Sequence, residues 1–194
     1  MDASIDSALH AVASLDRSVA LWFEAHARPD LSAAMGLVSR WQAAPLLLLA
    51  TAVIGVVLVQ RRDPQSCWLL VLAVVPGTLL NHVLKHTIRQ PRPGTTDASA
   101  PTDYGFPSGH VATATLFYGS LAVIVLLRAR RWPIKVCAVL ACAALVTTVA
   151  ASRLVLRAHD LSAVLAAAIG GLAWVALSLG VVRGWRRGAD RPSA

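Results

Sequence analysis

Five apolar stretches, each about as long as a bilayer is thick, dominate this sequence. They run over roughly 43–60, 67–84, 111–127, 133–151 and 162–182, and a membrane-crossing helix needs about 17–25 such residues. Charge, proline or glycine bounds every one. Hydrocarbon offers no partner to backbone N–H and C=O groups, so segments of this kind are expected as helices. The chain has 194 residues, 56% hydrophobic and only 14% charged, a balance that excludes an ordinary water-soluble domain. The expected fold is an all-α membrane protein forming a single domain over 1–194, with a transmembrane bundle at 43–182.

Residues 1–42 read differently. Ile5, Leu9, Val12, Leu15, Val19, Trp22 and Phe23 recur at helical spacing with Asp6, Asp16 and Arg17 between them, and Leu31, Met35, Val38 and Trp41 continue the pattern. This predicts one or two amphipathic helices lying along the membrane surface or against the bundle; a loosely held arm is the plainer alternative. Asp2, Asp6, Asp16, Glu24 and Asp30 leave no uninterrupted apolar core there, so a signal peptide is not expected. Cys67, Cys137 and Cys142 fall in or beside apolar stretches. An odd set of thiols so placed reads as structural rather than as a disulfide framework or metal site.

Five crossings put alternate loops on opposite sides. One side receives Arg61, Arg62, Arg128, Arg130, Arg131, Lys135, Arg183, Arg186, Arg187 and Arg191 against only Asp63 and Asp190. On the other side acidic and basic residues cancel. Short basic loops stay in the cytoplasm, so the 183–194 tail should be cytoplasmic and the neutral face external or periplasmic. The net charge of +8 is thereby a topology signal for the cytoplasmic membrane, and no nucleic-acid partner is expected.

The neutral face collects the chemistry. Lys85 ends the second crossing and Arg92-Pro93 follows; Pro107-Ser108-Gly109-His110 opens the third; Ser152-Arg153 ends the fourth, and His159 precedes the fifth. Alone, Lys85 and Arg92 read as snorkelling interfacial cations, Pro-Ser-Gly as a helix start, and either histidine as a satisfied polar residue, as His82 and His86 are taken to be. Together they are what phosphoryl transfer requires. Cations and N–H donors must hold the charge on the phosphoryl oxygens, and Lys85, Arg92 and Arg153 supply the cations. Ser108, Gly109 and His110 sit where a helix N-terminus favours an anion, with Pro107 suited to a first-turn position and Gly109 to close approach of the backbone. One histidine can attack phosphorus while a second protonates the leaving oxygen. No carboxylate cluster on this face suggests a metal, and no cofactor is implied.

Lys85-x6-Arg92-Pro93, Pro107-Ser108-Gly109-His110 and Ser152-Arg153-x5-His159 resemble the three signature motifs of the type 2 phosphatidic acid phosphatase family, whose active site is similar to that of the vanadium haloperoxidases. The resemblance covers about residues 45–182. It implies that Lys85, Arg92 and Arg153 bind the phosphate with help from Ser108 and Gly109. It makes His159 the nucleophile that forms a phosphohistidine, and His110 the acid that protonates the leaving group. It implies metal-independent hydrolysis of a lipid phosphate or diphosphate held among membrane lipids. Small size and short loops are similar to the undecaprenyl diphosphate phosphatases that recycle a cell-wall carrier lipid; phosphatidic acid and phosphatidylglycerophosphate are the competing substrates. One position departs from the pattern. The family places an aspartate four residues after the nucleophile to hold its ring, and here that residue is Ala163. Asp160 is adjacent to His159 and about a hundred degrees round a helix, so it cannot simply replace a partner one turn on. Ser162 or a backbone carbonyl could accept the imidazole N–H instead, and Asp160 and Ser162 are the candidate orienting side chains. A catalytically silent lipid-phosphate binder is the alternative that Ala163 supports.

Overall fold

The structure, a computed structural model, describes residues 3–92 and 104–189. Residues 1–2, 93–103 and 190–194 lie outside them, and with them Pro93 of the first motif and Asp190 and Arg191 of the tail. Among the described residues there is no strand, and the helices follow one another as α1 (Ala3–Ala25), α2 (Pro29–Trp41), α3 (Ala44–Gln60), α4 (Pro64–Ile88), α5 (Gly109–Arg128), α6 (Trp132–Val155) and α7 (Leu161–Ala189). Proline stands in the first turn of α2, α3, α4 and α6, where its missing N–H costs nothing and its fixed φ suits a helix.

Helices α4 to α7 are each long and apolar enough to cross a membrane, as the hydropathy pattern predicts. The expected first crossing coincides with α3, whose 17 residues make about 26 Å; taken with α2 across a 43° bend it is long and apolar enough for a broken span or a re-entrant loop. Large side chains such as Leu49, Val53, Leu79, Leu140, Ile169 and Leu172 lie exposed along the outer faces, which hydrocarbon tolerates and water would not.

The bundle closes around α5, whose residues from Val111 to Phe117 are buried without a break. Helices pack this closely only where neighbours are small. A methyl on Gly77 of α4 would stand 2.8 Å from Leu116 and from Trp174, and one on Gly171 of α7 would stand 2.9 Å from Thr115. Pro76 sits inside α4 and, lacking an N–H, leaves the Leu72 carbonyl without its helical donor. Trp174 Nε1 donates to that oxygen at 3.1 Å. The break in α4 is thus satisfied by α7, which ties the helix that bears Lys85 to the helix that begins just after His159.

Antiparallel packing gathers the ends of α4 and α6 and the starts of α5 and α7 at one end of the bundle. At the opposite end Asp63 caps α4 by accepting from Ser66 N–H and pairs with Arg128 at the end of α5.

Candidate active site

Helix endings deliver the motif residues. Helix α6 stops in a left-handed turn: Arg157 N–H donates to Leu154 O, Ala158 N–H donates to Arg153 O, and Arg157 has φ 51. This is a Schellman ending, and it explains the five residues between Arg153 and His159. Arg153 lies on the last helical turn, the turn consumes the intervening residues, and His159 emerges beside the start of α7. Helix α4 ends similarly on Arg89, with φ 54 and its N–H on Lys85 O, after which Gln90 and Pro91 lead to Arg92.

A single glycine then joins the first and third motifs. Gly105 donates its N–H to Gln90 O at 2.6 Å, and a methyl on it would lie 2.6 Å from Pro91 O and 3.1 Å from Arg92 Cα. Its carbonyl lies 2.6 Å from His159 Nδ1. A carbonyl oxygen only accepts, so Nδ1 carries the proton and the Nε2 lone pair is left available. Ser162 is committed elsewhere: its N–H and hydroxyl both donate to Asp16, at 2.8 and 2.6 Å. The role sequence reasoning assigned to Asp160, Ser162 or a carbonyl is thus filled at Nδ1 by the carbonyl of Gly105.

His159 is buried. Burial pulls its pKa down to about 4; the Gly105 carbonyl opposes that, and the charges of Arg92, Lys85 and Arg153 add to the fall. The imidazole is neutral at neutral pH. Arg153, Arg92, Lys85 and the backbone of Ser39, near the end of α2, all lie within electrostatic reach of the His110 ring. Two imidazoles therefore share three cations, drawn from α4, the segment after it, and α6.

Ser108 occupies the N-cap of α5, yet its side chain makes no capping bond. Its hydroxyl is buried without a hydrogen-bond partner, and so is one terminal nitrogen of Arg153. Buried polar groups are nearly always satisfied, and exceptions call for an explanation; an anion between them would satisfy both. The start of α5 is less open than the motif suggests, because Ser108 N–H already donates to Ala163 O at 3.2 Å. That leaves the first-turn N–H groups of Gly109 and His110, which have no helical acceptor. One further expectation is corrected: Pro107 lies one position before the N-cap rather than in the first turn. A methyl on Gly109 would meet only Asn81 Nδ2, at 3.8 Å, so no protein group crowds the backbone there. Among the described residues no group of three or more histidines, cysteines and carboxylates is placed to hold a metal.

A family model described as the PAP2 superfamily matches residues 66–187. The chain belongs to the PAP2 superfamily. It is an integral membrane phosphatase. Among solved structures it is similar to a transmembrane PAP2-type phosphatidylglycerolphosphate phosphatase from Bacillus subtilis, with 25% identity, a TM-score of 0.73, and coverage of 96% of this chain and 92% of the other. No curated protein sequence matches it. The PAP2 match begins inside α4, so α1, α2 and α3 fall outside it.

Three contributors to the site escaped the motifs. Gly105 and Ser39 act through backbone atoms, which leave no chemical signature in a sequence. Asp16 did leave one: it is a carboxylate in the middle of the apolar stripe of α1.

Proposed function

We propose that this PAP2 protein hydrolyses the terminal phosphate of a membrane lipid at the outer face of the cytoplasmic membrane, without a metal. The observation that carries this reading is the His159 ring, buried beside three cations with its Nδ1 proton committed to Gly105. In the reaction Nε2 attacks phosphorus, the phosphorus–oxygen bond to the lipid breaks, and His110, entering as the imidazolium with the bound phosphate's negative charge offsetting the cations around it, gives its proton to the departing oxygen. The product is a lipid alcohol, or a lipid monophosphate from a diphosphate, and a phosphohistidine on His159. Water, deprotonated by His110, then attacks that phosphorus and frees inorganic phosphate.

Lys85, Arg92, Arg153, Ser108 and the N–H of Gly109 hold the phosphoryl oxygens, and the cations offset charge that a metal would otherwise carry. A carbonyl on Nδ1 supports an active enzyme over a silent binder, since the ring is oriented although residue 163 is alanine. The outward orientation rests on the basic residues gathered at the opposite end of the bundle.

The similar Bacillus subtilis enzyme favours phosphatidylglycerophosphate as substrate. Undecaprenyl diphosphate is the second reading; short loops first suggested it, but a chain of nearly equal extent acts on a glycerophospholipid, so size does not discriminate. Phosphate release from phosphatidylglycerophosphate, phosphatidic acid and undecaprenyl diphosphate, measured in detergent with and without chelator, tests the proposal. The expected result is chelator-insensitive, vanadate-inhibited release that is lost in His159→Ala. Strict magnesium dependence, or release that survives His159→Ala, would contradict it.

A further inference from the structure

Along α1, residues Ile5, Leu9, Val12, Asp16, Val19 and Phe23 follow the spacing of one helical face. A carboxylate at the centre of an apolar stripe is costly unless it meets a donor. Here it meets the first turn of α7. Ser162 N–H donates to Asp16 Oδ1 at 2.8 Å, and the Ser162 hydroxyl donates to Oδ2 at 2.6 Å. A helix N-terminus ordinarily receives such an acceptor from its own N-cap residue, which satisfies an orphan N–H and opposes the helix dipole. For α7 the acceptor comes from a helix 146 positions away.

The surroundings fix where this cap acts. Asp16, Val19, Ala20 and Phe23 of α1 line one small cavity with Leu154, Arg157, His159, Asp160 and Leu161. Asp16 lies close enough to Asp160 for its charge to add to burial in raising that pKa. Beyond the cavity Arg157 pairs with Glu24 at 3.2 Å, both side chains being about half exposed. Toward the other end of α1, Ile5, Leu9 and Val12 continue the same face and are exposed, as a surface seated in lipid would be.

We propose that Asp16 is a positioning residue for the phosphatase reaction, holding the start of α7 through Ser162 so that His159 stays aligned. The inference rests on the proposed role of His159 and deepens it: α1 becomes part of the catalytic apparatus, although it lies outside the residues matched by the family. It also assigns a function to Ser162. The family's aspartate on this turn of α7 is replaced by Ala163, and a carboxylate from α1 now binds the neighbouring residue.

Kinetics of Asp16→Ala, Asp16→Asn and Ser162→Ala, with His159 followed by NMR of 15N-labelled histidine, test this. Asp16→Ala should lower kcat roughly ten- to a hundredfold, the scale of a small misplacement of reacting groups, with KM within about twofold. Asp16→Asn should recover part of the loss, because its amide oxygen still accepts from Ser162 N–H. Adding Ser162→Ala to Asp16→Ala should cost little more, since both remove one interaction. The His159 Nδ1 resonance should shift or broaden in Asp16→Ala. Glu24→Gln, which disrupts only the exposed ion pair, should leave kcat unchanged. The proposal is overturned if folded Asp16→Ala keeps kcat within about twofold, or if Glu24→Gln falls by as much. Should Asp16→Ala fail to fold, Asp16→Asn decides by the same criteria. If the wild-type chain releases no phosphate, the proposed function fails, and the His159 resonance in wild type and Asp16→Ala still decides the positioning role.

Discussion

Gly105→Ala is the substitution that tests how His159 is oriented. The added methyl would lie 2.6 Å from Pro91 O, and ordinary contact begins at about 3.5 Å, so something must move by roughly 0.9 Å. The obstructing atoms are backbone, of Pro91 and Arg92, and cannot swing aside as a flexible side chain would. Two outcomes of the strain reach the site: the Gly105 carbonyl withdraws from Nδ1, or Arg92 is displaced from the phosphate. A misplacement near 1 Å can cost about a hundredfold in rate, equivalent to about 2.7 kcal/mol in the barrier. Steady-state kinetics on the best lipid phosphate should therefore show kcat reduced by about that factor, with KM rising to the extent that Arg92 moves. Thermal unfolding should confirm that the bundle is intact, since its core lies away from this loop. A folded Gly105→Ala variant with wild-type kcat would refute the carbonyl's role.

Ala163→Asp should not raise turnover, because Gly105 already holds Nδ1 and Ala163 is buried; a clear gain in kcat would mean that the carbonyl orients the ring poorly. His110→Ala should cost far less with an activated aryl phosphate than with a lipid phosphate, since a good leaving group needs no proton; equal losses would deny His110 the role of acid. NMR of labelled histidine should find His159 neutral down to about pH 4, whereas an unfolded histidine titrates near 6.5. Its contribution to stability is then flat above about pH 6.5 and declines as pH falls toward 4, because the unfolded chain binds the proton first; a midpoint near 6.5 in the folded protein would contradict the buried environment.

How much of this was legible in the sequence differs from residue to residue. The four later crossings were readable from hydropathy to within a few residues, because lipid makes length and apolarity the governing constraints. The first, expected over 43–60, is α3 (Ala44–Gln60), and what hydropathy did not give is that α2 meets it at a 43° bend. Lys85, Arg92, Ser108, Gly109, His110, Arg153 and His159 were candidates from spacing and topology, since alternate helix ends share one face of the membrane, and the resemblance to the family supplied their roles. The orienting partners could not. Gly105 works through a carbonyl and through the absence of a side chain, so it looks like any loop glycine. The Ser108 N–H was expected to be free for an anion, yet it is taken by Ala163 O, a pairing set by how α5 packs on α7. Asp16 was visible as a charge interrupting an apolar stripe, but only the docking of α1 on α7 identifies its partner.

The account stands or falls on a covalent intermediate. Rapid acid-free quenching of the protein with a 32P-labelled lipid phosphate, followed by alkaline-stable peptide mapping, should place the label on His159. The label should form in a burst no slower than turnover, be acid-labile as a phosphoramidate is, and be absent from His159→Ala. Phosphate release by the wild-type chain with no labelled His159, or with the label on another residue, would contradict the mechanism.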